Sequence, residues 1–340
     1  ATLTMAFFAS CSRQSKAKLS WLDLRGTGLS AIERLCLEEA LLRHDPEQHC
    51  WAIVGAHEPT SHRILRNIPL PSYIQEAQDV NKSCVIVMGI GGKPELLLNM
   101  DLVRNDGVLV VKRFSCGGTV VLDHSSLWTT FIGRNEALPH VQAFPRPIMK
   151  WTADAIFGPA FSSLSQQALL EAPLKTRSTL VADIKSCSAT ENSGKSLQLP
   201  NHNVQVLDEI PQFALVETDY VLGERKMGGN AQTIAGQNGW LHHTSFLWDY
   251  DDDNMEYLSL PSKQPDYREN RSHEDFLVKL STYYGSLKPT TFFEHVKQAC
   301  KNEFEIEDVT LKEALAIVDN EVGGMQNWFE SKCRTKIVTI

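Results

Sequence analysis

Several things are missing from this 340-residue chain, and each absence removes a class of function. No run of about 18 or more apolar residues is present, so no segment reads as a membrane-spanning helix. There is no basic surplus: 33 Lys and Arg stand against 41 Asp and Glu, for a net charge of −8. That excludes a general nucleic-acid coat, although a local basic pocket stays open. None of the eight cysteines (Cys11, Cys36, Cys50, Cys84, Cys116, Cys187, Cys300 and Cys333) falls into C-x-x-C spacing, which removes zinc ribbons and dithiol redox motifs. In a chain this long they read as free thiols of a reducing compartment. The first 22 residues lack any acidic side chain; Asp23 is the first, preceded by Arg13, Lys16, Lys18 and many Ser and Ala. Residues 1–21 read either as an organellar transit segment or as a terminus without acids.

What is present is an ordinary globular composition, 42% hydrophobic and 22% charged. The length suits one large domain with a small one, or two of moderate size. "LDLRG" (Leu22–Gly26) reads as a strand, and "SAIERLCLEEALLR" as an amphipathic helix with Ser30 as N-cap. "HCWAIVGA" and "SCVIVMGIGG" have strand length, and "GVLVVKRF", "GTVVLD" and "LWTTFIG" follow as adjacent strands of an antiparallel or mixed sheet. "RPIMKWTADAIFGPAF" predicts a helix with Pro147 in its first turn. Ser162 to Asn203 is rich in Ser, Gln, Lys and Thr and reads as a partly disordered insertion. A hairpin centres on Gly223, "GWLHHTSFLW" is a strand with Trp240, His242, Thr244, Phe246 and Trp248 on one face, and two short helices follow Pro289.

Four pieces carry chemistry. In "VKRFSCGGTVV" (Val111–Val121) Arg113 precedes two glycines between strands. Backbone N–H groups of such a turn can face an anion and a guanidinium can grip it; the alternative is a hairpin turn with a solvated arginine. In "GERKMGGNAQ" Lys226 either neutralises a phosphate or ends a surface hairpin. In "WLHHTSF" His242 and His243 point to opposite faces and cannot chelate one ion together; His242 shares its face with aromatics, as a core histidine would. Lys263, Arg268 and Arg271 form either a solvated connection or a basic loop that closes on a nucleotide or an acidic partner. The carboxylates of "DYDDDNMEYL" lack calcium-loop spacing and read as a solvated helix start.

The order of these pieces resembles the catalytic domain of the lipoate/biotin protein ligase superfamily, closest to lipoate–protein ligases and to a branch of them found in plants. The family's Arg-Arg-x-Ser-Gly-Gly-Gly-x-Val motif stands here as Lys112 to Val120, its Asn-Asp…Gly-x-Lys-x-x-Gly-x-Ala as Thr218, Asp219 and Glu224 to Ala231, and its His-His-Gly as His242, His243, Thr244. The resemblance implies an α/β (α+β) ligase-like catalytic domain over 22–284, a mixed, largely antiparallel sheet flanked by helices, interrupted at 162–203. It leaves 285–340 as a small helical C-terminal appendage.

It also implies a reaction. Lipoate or octanoate would be activated by ATP with Mg²⁺ to an acyl-adenylate, and the acyl group passed to a lysine of a lipoyl-acceptor domain, an E2 subunit or a glycine cleavage H protein, in a mitochondrion or plastid or else the cytoplasm. Lys226 would be catalytic. Arg113, Gly117, Gly118, Thr119, Val120, Val121, Asp219 and Lys226 would hold the adenylate, and Lys226, Arg113 and His242 the lipoate. An apolar slot beside Val120, Val121 and Trp240 would take the fatty chain. The chain departs from the family at Lys112, Cys116, Leu122, Ser126 and Trp128. Those departures keep open an ATP-independent octanoyl or lipoyl transferase using Cys116, and a noncatalytic lipoylation partner.

Overall fold

The computed structural model describes residues 16–57, 64, 65, 68, 70–76, 84–171, 210–236, 239–260 and 264–340. In chain order the strands are β1 (Ala17–Asp23), β2 (Cys50–Ala56), β3 (Val85–Met88), β4 (Leu109–Lys112), β5 (Val120–Leu122), β6 (Ser126–Gly133), β7 (Phe213–Val216), β8 (Asp219–Leu222), β9 (Arg225–Lys226), β10 (Gly228–Ile234), β11 (Trp240–Leu247), β12 (Phe304–Val309) and β13 (Lys336–Ile337). The principal helices are α1 (Ala31–His44), α2 (Pro145–Trp151), α3 (Gly158–Glu171), α4 (Pro289–Glu303), α5 (Leu311–Val322) and α6 (Met325–Ser331). None is long and apolar enough to cross a membrane.

Six strands make the central sheet in the order β10–β11–β6–β2–β1–β12. Pairs from β10 to β2 are antiparallel, whereas β2, β1 and β12 run parallel. The fold is therefore mixed α/β with a largely antiparallel sheet, as expected. Period-two alternation divides its two faces. Trp240, Phe246, Phe131 and Ala52 turn toward α2, α3 and α4, while Leu241, Ile132, Trp51 and Ile53 turn toward α1, α5 and α6. A second sheet, β13–β4–β3–β5, packs Val85, Val87, Val111 and Leu122 into the same cluster as α1. A third, β7–β8–β9, carries Lys226.

Several sequence expectations shift. The first strand is Ala17–Asp23 rather than Leu22–Gly26, so residues 17–21 of the expected terminal segment belong to the central sheet; residues 1–15 lie outside the described residues. β4 and β5 are not neighbours: they flank β3 from either side, and β6 joins the other sheet. The expected insertion overlaps ordered chain. α2 continues through a π-helical turn (Thr152–Phe157) into α3, whose Phe161 and Leu164 are buried, so residues 162–171 are helix and 172–203 lie outside the described residues. The C-terminal helices form as expected, but β12 pairs with β1 and β13 with β4, which weaves that region into both sheets.

α1 begins where a capping box places it: the Ser30 hydroxyl accepts from Glu33 N, and the Glu33 carboxylate accepts from Ser30 N at 2.9 Å. It ends on a buried polar knot. Asp45 accepts from Trp51 Nε1 and His49 N, each at 2.9 Å, and from Glu47 N at 3.1 Å. Arg134, 3.8 Å from Asp45, donates to the last carbonyls of the helix, Leu41 O at 3.0 Å and Leu42 O at 2.8 Å. Cys36 of α1 lies 3.4 Å, sulfur to sulfur, from Cys333; both are free thiols. Removing the Asp45 carboxylate leaves Trp51 Nε1 and two backbone N–H groups unpaired and takes the counter-charge from Arg134, so Asp45→Ala should cost about 3 kcal/mol of unfolding free energy, read from urea denaturation against wild type.

Candidate functional site

The loop from Arg113 to Thr119 links β4 to β5 across the end of β3, and Arg113 shapes it. Arg113 is 4% exposed. Its Nε donates to Ser115 Oγ at 3.0 Å, Nη1 to Val87 O at 3.2 Å, and Nη2 to Gly118 O at 2.8 Å and Cys116 O at 3.3 Å. Burial pushes its pKa down to about 10, which leaves it charged near neutrality. Arg113 therefore binds the loop's own carbonyls rather than reaching out to grip a phosphate, a correction to the role expected from sequence. In a trans peptide the N–H points opposite the C=O. With the Cys116 and Gly118 carbonyls drawn inward, the N–H groups of Gly117 and Thr119 face the other way, and neither has a protein acceptor among the described residues. The product is a small concavity of outward amides on an exposed loop, a form suited to anions.

Cys116 stands where the family has a glycine, and it causes no strain. Its φ is not positive; the residue that requires glycine is Gly117, at φ +119°. A Cβ on Gly117 would fall 2.8 Å from Asn230 O, because the loop lies against β10, where Cys116 N donates to Gln232 O at 3.1 Å. The second glycine pair is demanded by packing as well. A Cβ on Gly228 would fall 2.0 Å from Ser245 O, and one on Gly229 2.4 Å from Val120 Cγ1.

Lys226 forms an ion pair with Asp219 (2.7 Å), whose other oxygen accepts from Tyr267 Oη at 2.9 Å. Its side chain keeps 25% of its surface open. Asn230 connects this pair to the loop. Its amide donates to Thr218 O at 3.3 Å, beside Asp219, and its oxygen accepts from Thr244 Oγ1 at 3.1 Å. Its backbone lies under Gly117. Arg113, Gly117, Gly118, Thr119, Asp219 and Lys226 are thus gathered around one end of β10.

Beside the loop a narrow cleft opens between α1 and the two sheets, lined by Leu35, Val87, Val120, Leu122, Trp128, Ala231 and His243, among others. α1 contributes Arg34 to this wall, and Arg34 pairs with Glu38 one turn on. Glu38 lies 3.0 Å from Arg34 Nε and 2.9 Å from His243 Nδ1, and accepts from Thr130 Oγ1 at 2.8 Å. Burial alone would raise the Glu38 carboxyl, but Arg34 and His243 outweigh it and hold the group below the usual range, hence ionised. Burial lowers His243 against the pull of Glu38. The Arg34 guanidinium rests on the Trp128 ring.

Other expected site residues lie elsewhere. His242, on the opposite face of β11, is enclosed by the Tyr220 hydroxyl at 3.0 Å, Gln232 at 2.9 Å and Thr244 at 3.1 Å, so the sheet separates it from the cleft. Trp240 shares that far face, and Val121 turns into a third cluster with Ile86 and Val110, which leaves Val120 alone of the expected slot residues in the cleft. Arg268 lies over the Phe276 ring and donates to Arg271 O; Arg271 donates to Tyr267 O and Glu224 O. The two brace their own turn rather than offering free charges, and Lys263 lies outside the described residues. Sequence reading gave no role to Arg34 or Glu38, which carry no motif; His243 and Asn230 fell inside the quoted motifs, but the site role was expected of His242 and Lys226 instead.

The group Asp123, His124 and Asp251 places its ligand atoms within 4.8 Å of one another. Both Asp123 oxygens already accept hydrogen bonds, from Ser125, Ser126, Asp251 N and Asn254. That arrangement closes a turn.

A family profile described as the lipoyl protein ligase A/B catalytic domain matches residues 79–305. A Plasmodium falciparum (isolate 3D7) protein named inactive lipoate–protein ligase 2 is 28% identical over 244 residues, 68% of this chain. The chain spans only 56% of that relative's length. Among solved structures, lipoate-protein ligase A bound with ATP superposes with a TM-score of 0.53 at 12% identity, covering 90% of this chain and 93% of that one. P. falciparum LipL1 in complex with lipoate gives 0.50 at 14% identity, covering 91% and 70%. At such identities the likeness is one of fold.

Gly117→Ala forces a side chain into a left-handed conformation and into β10, and should cost about 1–3 kcal/mol. Cys116→Ala should stay within about 0.5 kcal/mol of wild type, both read by chemical denaturation. His242 gives a pH signature. Burial, reinforced by His243, lowers its pKa to about 3, whereas an unfolded imidazole titrates near 6.5. Its contribution is therefore complete above about pH 6.5 and declines as pH falls toward 3, by up to about 1.4 kcal/mol per pH unit. Denaturation midpoints of His242→Gln should fall less steeply between pH 7 and 5 than those of wild type.

Proposed function

Since this chain belongs to the lipoyl protein ligase A/B catalytic-domain family, we propose that it activates a medium-chain acid of the lipoate or octanoate kind with ATP. It then passes the acyl group to a lysine of a lipoyl-acceptor domain, an E2 subunit or a glycine cleavage H protein, in a mitochondrion or plastid. The outward Gly117 and Thr119 amides beside an apolar cleft carry this reading.

In the first step a carboxylate oxygen bonds to the α-phosphorus and pyrophosphate leaves. In the second the acceptor lysine's neutral amine bonds to the acyl carbonyl and AMP leaves. Two anions must meet in the first step, so positive charge is needed where they approach. The loop amides would hold the α-phosphate oxygens, and Lys226 would swing from Asp219 to bridge phosphate and acyl carbonyl. Asp219 holds that ammonium in place until then. Mg²⁺ would arrive with the triphosphate.

A second reading has one observation in its favour: Arg34 and Trp128 occupy part of the cleft. If that excludes the acid, the domain would serve as a noncatalytic partner that binds lipoylated proteins. Acid-dependent pyrophosphate release by the purified protein separates the two. The ligase reading expects release that falls at least about 100-fold in Lys226→Ala with an unchanged melting temperature. No release, or equal release from the variant, would sink it. Acyl transfer from an acyl-carrier donor without ATP, stopped by Cys116→Ser, would point instead to the transferase chemistry.

A further inference from the structure

The cleft wall holds a charge that the chemistry above does not use. Arg34 is 5% exposed, yet its Nη1 has no hydrogen-bond partner and is sealed from solvent. The carboxylate paired with it among the described residues, Glu38, is shared with His243 and Thr130, and the guanidinium plane rests on Trp128. Thr130 Oγ1 donates to Glu38, so it accepts from His243 Nδ1 at 3.1 Å; the neutral ring then carries a lone pair on Nε2, and that atom too is buried without a hydrogen-bond partner. A buried guanidinium donor left open is costly, and structures seldom carry one unless something completes it. Arg113 lines the same cleft but directs its donors to loop groups, so Arg34 keeps an open donor between walls that are largely apolar. An anion is the complement of such a pocket.

We propose that the cleft selects a carboxylic acid whose tail carries a second anionic, hydrogen-bond-accepting group, and that Arg34 is the residue that selects it. This rests on the cleft being the acyl site. The carboxylate that reacts must lie at the mouth, where the loop amides are exposed and where nucleotide and acceptor lysine can approach. The buried Arg34 therefore meets the far portion of the chain. A plain alkyl tail would leave the guanidinium unpaired and add apolar surface against it, whereas an anionic tail would complete it. Selectivity of this kind exceeds what one methylene in an apolar slot provides, because the rejected ligand leaves a buried donor unpaired.

The experiment is isothermal titration of the purified full chain with octanedioate and with octanoate at fixed ionic strength. The expected result is octanedioate binding at least about tenfold tighter in wild type, with that preference abolished or reversed in Arg34→Met. Octanoate binding as tightly or more tightly than the diacid in wild type would overturn the proposal. So would a preference that survives Arg34→Met, or the binding of neither acid. Should Arg34→Met fail to fold by circular dichroism, Arg34→Gln retains a donor without the charge and should shrink the preference at least about threefold; an unchanged preference would count against Arg34. Failure of the ligase reading shows separately. A diacid preference without pyrophosphate release leaves the selectivity standing and removes the ligase chemistry. Pyrophosphate release from octanoate with no diacid preference does the reverse.

Discussion

The geometry of the site depends on Arg113 and the carbonyls it binds. The guanidinium lies inside the protein and has no solvent to satisfy it, so it draws Cys116 O and Gly118 O inward. Everything offered to an anion follows from that, because peptide planarity turns the neighbouring N–H groups outward. Gly117 makes the turn feasible by accepting a positive φ against β10, and Ser115 fixes the Nε edge. The arginine is part of the mould rather than part of the grip. Lysine could not replace it, since one ammonium cannot span a side-chain hydroxyl and three carbonyls in a plane.

α1 shows the same economy of buried charge. Glu33 caps the helix start and accepts from Leu65 N, Glu38 joins Thr130 and His243, and Glu39 pairs with Arg43 and accepts from Arg334 N. A helix this acidic would ordinarily turn a face to water. Here each carboxylate has partners on a different neighbour, so the helix is held at once against the segment at Leu65, the central sheet and the C-terminal segment.

Much of this was legible beforehand. Strands such as "CVIVMG" and "LHHTSFLW" announced themselves through apolar runs and alternation, the Ser30 capping box through its spacing, and the opposed histidines through the two-residue period. The roles of individual residues were less so. His242 and His243 are adjacent, and only tertiary packing decides that the second faces the cleft. Arg113 looked like a ligand residue because sequence does not show which carbonyls fold back upon it. Arg34 was hidden inside a good helix, where a charge ordinarily means solvent. Beyond Phe161 the helix continues with Leu164 and Ala168 as its buried side chains among Ser and Gln, an apolar signal too weak for the sequence to show where the helix ends.

The pairing of β12 with β1 brings Phe304 beside Ala17 and Val309 beside Leu22. An edge of the central sheet is thus contributed by residues nearly the whole chain apart, and β13 closes the second sheet from still further on. On a ribosome the parallel edge of β1 stays unpaired until after residue 309 has emerged, with apolar surface around Leu19 and Trp21 left uncovered meanwhile. Late closure of a parallel edge is slow, because the entropy of the large loop must be met before any contact repays it. Until then the nascent chain presents the kind of open strand edge that makes folding intermediates prone to aggregate.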